Sequence, residues 1–159
     1  MNNNHINQSG DLQMVDISKK ESSQREAKAK GYISLNEKAL SSILELNNKK
    51  GDVLNTARIA GINAVKQTST LIPLAHNILI NSAIVDFRVD NKQCEIHSTV
   101  TVKSEGKTGV EIEALVGVEI SLMTIYDMCK YLDRTMSIND VKLISKTGGK
   151  SGDFFREKK

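Results

Sequence analysis

The stretch that decides the fold is TGVEIEALVGVEISLMTIYDMCKYLDR, Thr108–Arg134. Its spacing predicts one long helix, opening after Gly109 and closing near Asp133–Arg134. Val110, Ala114, Leu115, Val118, Leu122, Ile125, Cys129 and Leu132 recur at three- and four-residue steps, the pattern of a helix with one apolar face. Off that face, at about 100° per residue, Glu113, Gly117, Ile120, Thr124 and Asp127 fall within roughly 60° of one another. Lys130 lies beside Asp127. Two carboxylates and an ammonium thus edge a strip whose Gly117 leaves room for something to approach. The Asp127–Lys130 pair is open to two readings. One is a solvated ion pair contributing roughly a few tenths of a kcal/mol; the other is a pair that moves protons.

Working outward, the two segments before this helix alternate like strands. In Ala83–Asp90, Val85, Phe87 and Val89 share one side; in Cys94–Lys103, Cys94, Ile96, Val100 and Val102 do. Asp90-Asn91-Lys92 joins them as a hairpin turn. After the helix, Val141–Ser145 supplies a last strand, and the tail KTGGKSGDFFREKK carries too many glycines and charges for regular structure. Upstream, Asp52 caps a helix from Val53 to about Thr70 whose Ala57, Ala60, Gly61 and Ala64 let a neighbouring helix or subunit come close. Pro73 stops it. Asn36 caps a shorter helix with Leu40, Ile43 and Leu44 inward, and Gly31–Leu35 reads as the first strand. KKESSQREAKA before it reads as a charged connection, and residues 1–12 as a disordered polar tail ahead of a domain over 13–159. The order strand, helices, strand, strand, helix, strand is the ferredoxin-like β-α-β-β-α-β pattern: an α+β fold with an antiparallel sheet and helices on one face. The sheet's other face then needs cover, for which a partner subunit is expected.

Composition sets bounds. The 159 residues suffice for one domain with a real core, and an aromatic content of 4% without Trp makes that core aliphatic. The net charge of +3, from 22 basic and 19 acidic side chains, is too balanced for wholesale nucleic-acid binding. The strands also lack exposed aromatics for base stacking. No apolar run approaches the ~20 residues of a membrane span. MNNNHINQSGD lacks a basic-then-apolar leader pattern, and Cys94 and Cys129 lack C-x-x-C spacing, which together suit the cytoplasm and argue against a zinc site. Cys129 on the apolar face reads as a small core residue.

Familiar catalytic motifs mostly fail. Gly148-Gly149-Lys150-Ser151 resembles the end of a P-loop, but Ile144 stands where its first glycine belongs and no helix follows. What remains is cations at breaks in regular structure: Lys50, Lys66, Lys130, Lys146 and Lys150, joined by Arg25 and Arg58. Each alone reads as a solvated side chain; together they can surround a polyphosphate and stabilise a departing pyrophosphate. His5 lies in the tail, His97 on a polar strand face, and His76 in the loop stiffened by Pro73, where it is either satisfied locally or a ligand contact.

KGDVLNTARIAGINAVKQTSTLIPLAHN (Lys50–Asn77) resembles the signature of the cyclic pyranopterin monophosphate synthase family of molybdenum cofactor biosynthesis. Thr108–Arg134, MVDIS near the start and KTGGKSGD near the end resemble the family's other blocks, in matching order from about Met14 to Asp153. The resemblance implies a lyase that turns a cyclised dihydroguanosine triphosphate into cyclic pyranopterin monophosphate and releases pyrophosphate, with no cofactor and no metal. It implies Asp127 as the catalytic carboxylate, with Lys130 and Lys50 as acid–base and phosphate partners. Leu74, Ala75 and His76, and Ile112 and Glu113, match the substrate-binding stretches; Lys66, Lys146 and Arg25 match basic positions of the pocket. It also implies a homohexamer, a trimer of dimers with sites between two subunits. Two departures stand out: where the family usually reads LIPLCHP, this chain has Ala75 for the cysteine and Asn77 for the second proline. They are the only sequence support for the competing class, a non-catalytic oligomeric nucleotide-binding module.

Overall fold

Alternation of small inward residues with charged outward ones builds the first strand. In β1 (Ser23–Ser34), Ala27, Ala29, Gly31 and Ile33 are buried, while Lys28 and Lys30 point to solvent. The computed structural model describes residues 5–150 and 152–157. The remaining elements are α1 (Glu37–Leu44), α2 (Val53–Lys66), α3 (Thr68–Leu71), β2 (Ile80–Asp90), β3 (Glu95–Gly106), α4 (Glu111–Cys129), β4 (Ser137–Thr147) and β5 (Phe154–Phe155). The sheet is antiparallel, in the order β2-β3-β1-β4-β5, the ferredoxin-like arrangement with one short strand added at the edge.

Several expectations hold. Asn36 and Asp52 cap α1 and α2, their carboxamide and carboxylate accepting from Ala39 N at 2.8 Å and Asn55 N at 3.0 Å. The β2–β3 turn is closed by Asp90 Oδ1, which accepts from Lys92 N at 3.1 Å and Gln93 N at 3.2 Å. Val110, Ala114, Val118, Leu122, Ile125 and Cys129 are fully buried in one core with Ile33, Ile96, Val100 and Val102 of the sheet.

Other expectations are corrected. From Ser23 on, the charged connection before Gly31 is the first half of β1: its inward residues are alanines, too weakly apolar to make the alternation visible. Leu44 is exposed because α1 ends there. The long helix stops at Cys129, the chain turning away through Leu132 N and Asp133 N, which both donate to Cys129 O. The helix after Asp52 breaks at Gln67, and the tail forms β5 through Ser145↔Phe155 and Lys146↔Phe154.

Gly117 is occupied, though not by a ligand. A β-carbon on Gly117 would stand 2.8 Å from Val65 Cγ2 and 3.0 Å from Val100 Cγ1, and one on Gly61 3.1 Å from Gly117 O. The small-residue face of α2 therefore packs on α4 of the same chain, and says nothing about a second subunit. The open face of the sheet is polar, with Glu26–Lys103 and Asp140–Lys142 ion pairs and His97 beside both Glu95 and Tyr32. Residues 1–4 of the expected tail, Ser151 of the glycine-rich block and residues 158–159 lie outside the described residues. Between His5 and Gln13 the chain makes a turn, with Asn7 Oδ1 accepting from Ser9 N and Asp11 N and a bridge between Ile6 and Leu12.

Candidate active site

At the C-terminal end of α4, Asp127 is held between two ammonium groups. Lys130 Nζ lies 2.7 Å from Oδ1, one helical turn along; Lys50 Nζ lies 3.0 Å from Oδ2 and also donates to Asp127 O at 2.8 Å. Lys50 arrives from the turn before α2, where Lys50 N donates to Asn48 Oδ1 at 2.9 Å and Gly51 adopts φ +96°. Hydrogen bonds from Lys130 first, then from Lys50, hold the Asp127 carboxyl below its ordinary range. With 57% of its side chain exposed, the group is open to solvent. Beside it opens a cavity of about 390 Å³ lined by Lys49, Lys50, Tyr126, Lys130, Tyr131 and Arg134, whose charged groups are all cations. Such a wall attracts phosphate oxygens.

The other end of α4 is built differently. Leu74, Ala75 and His76 after Pro73, and Ile112 and Glu113 on the helix's first turn, line a cavity of about 330 Å³ with His5, Val15 and Ile17. His76 Nε2 donates to Val15 O at 2.8 Å, so the histidine is satisfied locally while still facing the cavity. Glu113 is only 3% exposed; burial above all, with the nearby Glu111 charge, pushes its carboxyl up to about 7. Arg25 Nε donates to Gly106 O at 3.2 Å, and Lys146 Nζ lies 2.8 Å from Glu111 Oε1. Lys66 is exposed on the last turn of α2.

Apart from Lys66, which lines neither cavity, the expected site residues fall into two groups. Asp127, Lys130 and Lys50 come together, as do Leu74, Ala75, His76, Ile112 and Glu113, with Arg25 and Lys146 placed by strands ending nearby. Glu113 and Asp127 are fourteen residues apart on one helix, about 21 Å at roughly 1.5 Å per residue. Sequence reasoning missed Glu111, which the fold pairs with Lys146, and missed Lys49, Tyr131 and Arg134, which only the fold brings together. Among the described residues, no group of three or more His, Cys, Asp or Glu side chains is placed to hold a metal ion. No described helix is long and apolar enough to cross a membrane.

Fold and site define an α+β protein of ferredoxin-like topology with a carboxylate between ammonium groups at one end of its central helix and a half-buried His–Glu cavity at the other. Residues 14–149 match the MoaC family, and the chain belongs to it. It is 49% identical over 153 residues to the cyclic pyranopterin monophosphate synthase of Helicobacter hepaticus, covering 96% of both chains. To the proteins of that name from Clostridium acetobutylicum and Peptoclostridium acidaminophilum it is 47% and 46% identical, covering 96% of this chain and 94% and 96% of theirs.

Proposed function

We propose that the chain is a lyase of molybdenum cofactor biosynthesis, converting 3',8-cyclo-7,8-dihydroguanosine 5'-triphosphate to cyclic pyranopterin monophosphate with release of pyrophosphate. The observation that carries this reading, beside the near full-length similarity to relatives of that name, is Asp127 clasped by Lys50 and Lys130 next to a cationic cavity. Ring opening and closure need protons moved, and a departing pyrophosphate needs its charge neutralised; a carboxylate with two ammonium neighbours supplies both. Bound phosphate draws the ammonium groups toward itself, which frees Asp127 to accept a proton. Glu113, whose burial raises its carboxyl to about 7, can donate or accept a proton near neutrality at the other cavity.

The two cavities act together when a second copy supplies the missing half, as in a trimer of dimers with sites between subunits. The roughly 21 Å that separates Glu113 from Asp127 supports this, because one substrate cannot contact both on one chain. A cytoplasmic setting suits the two free cysteines, Cys94 and Cys129. The competing module, binding nucleotide without turnover, rests on Ala75 and Asn77 alone. Purified protein supplied with the cyclised triphosphate by the preceding radical enzyme is expected to form cyclic pyranopterin monophosphate and one pyrophosphate per product. Tight triphosphate binding with no product would favour the module. Light scattering should give a hexamer; a stable monomer at micromolar concentration would refute the shared site.

A further inference from the structure

The turn that delivers Lys50 is pinned at two points. On its inner side Asn48, 6% exposed, donates to Ser42 Oγ at 3.2 Å and lies 3.5 Å from Cys129 Sγ. On its outer side the Lys49 N–H donates to Tyr131 Oη at 3.1 Å, and Lys49 Nζ stands 3.8 Å over the centre of the Tyr131 ring. Tyr131 therefore grips both backbone and side chain of the residue before Lys50, and it follows Lys130 directly in sequence. A lysine has four rotatable bonds and loses much freedom when held in one place; fixing the neighbouring backbone reduces what remains to be ordered. We propose that Tyr131 is a positioning residue, which clamps Lys49 so that the Lys50 ammonium meets Asp127. The inference deepens the reading of Asp127 as the proton-transfer carboxylate and rests on it for its effect on turnover.

The charged groups around Asp127 are Lys50 from the turn before α2 and Lys130 from the end of α4, with Lys49 and Arg134 across the adjoining cavity. When Lys50 drifts away, one of the two cations that keep the carboxyl acidic is lost, and Asp127 titrates at higher pH. Asn48 remains in place and Tyr131 is 37% exposed, so substitutions here leave the fold intact.

The test compares Tyr131→Phe, which keeps the ring and loses the acceptor, with Tyr131→Leu, which loses both, in the full chain. Turnover is expected to fall about threefold in the first and about tenfold in the second, since small misplacements of a reacting group are costly. In a Lys50→Ala background, adding Tyr131→Leu should lower turnover by less than about twofold, because the residue it acts through is gone. Carbon NMR of the Asp127 carboxyl, which needs no turnover, should show its titration moved to higher pH in Tyr131→Leu. An unchanged Asp127 titration in Tyr131→Leu, or losses that multiply fully with Lys50→Ala, would overturn the clamp. Should wild-type protein make no product, the enzymatic reading falls while the Asp127 titration still decides the clamp.

Discussion

At its first turn α4 carries Glu113 into the protein interior, where burial raises the carboxyl to about 7; at its last turn it holds Asp127 out to water, where Lys130 and Lys50 keep the carboxyl acidic. The same chemical group, on the same helix, is shifted toward the protonated form at one end and held ionised at the other. Helix polarity runs against this outcome, since a helix N-terminus favours negative charge and a C-terminus disfavours it. Desolvation at Glu113 and two ammonium contacts at Asp127 outweigh a macrodipole contribution of roughly 0.3–1 kcal/mol. Position on the helix therefore matters less than what the rest of the fold packs against each end. One helix presents two carboxyls shifted in opposite directions, held apart by its own length.

The largest expected effect separates the two ends by activity. Asp127→Asn keeps size and hydrogen-bonding reach but removes the proposed base. Turnover should drop about 10²–10⁴-fold, while the folded protein assembles and still binds the cyclised triphosphate. Lys130→Ala should likewise keep fold and lose turnover. Near-wild-type pyrophosphate release from folded Asp127→Asn would reduce the Asp127 end to a surface ion pair.

A second prediction sharpens the comparison through pH. Unfolded Glu113 titrates near 4.5 and folded Glu113 near 7. Between those values the unfolded state has lost a proton that the folded state keeps, so rising pH favours unfolding. The contribution is fully present below about 4.5, declines as pH rises and is lost above about 7. Glu113→Gln cannot ionise, so its stability relative to wild type should rise by up to about 3 kcal/mol between pH 5 and 8. Urea denaturation of both proteins across that range measures it, and a pH-independent difference would show Glu113 to be ionised when folded.

How the chain announces these features differs from place to place. The apolar stripe of α4, the Asn36 and Asp52 caps and the β2–β3 alternation are local patterns, and local patterns survive in one dimension. The first half of β1 was hidden because Ala27 and Ala29 face inward; such small residues suit a sheet packed tightly under α4 but carry little periodic signal. Gly117 showed that something approaches closely, yet only the fold reveals α2 as the occupant. At the site, the i, i+3 spacing of Asp127 and Lys130 was legible directly, and the part of Lys50 came through family resemblance. The burial of Glu113 and the Tyr131–Lys49 contact join segments about 80 residues apart in one case and different layers in the other; no spacing rule encodes them.

The middle of α4 ties its ends together, and a third prediction strains it. Gly117→Ala places a methyl 2.8 Å from Val65 Cγ2 and 3.0 Å from Val100 Cγ1. Overpacking costs about 1–3 kcal/mol, against which alanine's better helix propensity returns roughly 1 kcal/mol. A net loss of up to about 2 kcal/mol in chemical denaturation is expected, with both ends affected because the turn holding Lys50 leads into α2, which leads on to the His76 loop. A more stable Gly117→Ala would mean that the two helices have slack between them.

The smallest effect belongs to Ala75. The side chain is half-buried and lines the cavity it shares with His76 and Glu113, while its backbone N–H donates to Ile72 O at 3.0 Å. Neither the proposed proton transfer to Asp127 nor the proposed neutralisation of phosphate by Lys50 and Lys130 calls for a thiol. Ala75→Cys should therefore leave stability within about 0.5 kcal/mol and kcat/KM within about twofold, which corresponds to a change in barrier of about 0.4 kcal/mol. The informative comparison is between ends. If the cysteine supplied chemistry that this chain lacks, Ala75→Cys would raise turnover by more than about tenfold, and alkylating the new thiol would return the activity to the wild-type level. That result would move the centre of the reaction from the Asp127 end to the His76–Glu113 end. Unchanged turnover, insensitive to alkylation apart from steric blocking of the cavity, keeps it with Asp127 and makes the thiol dispensable.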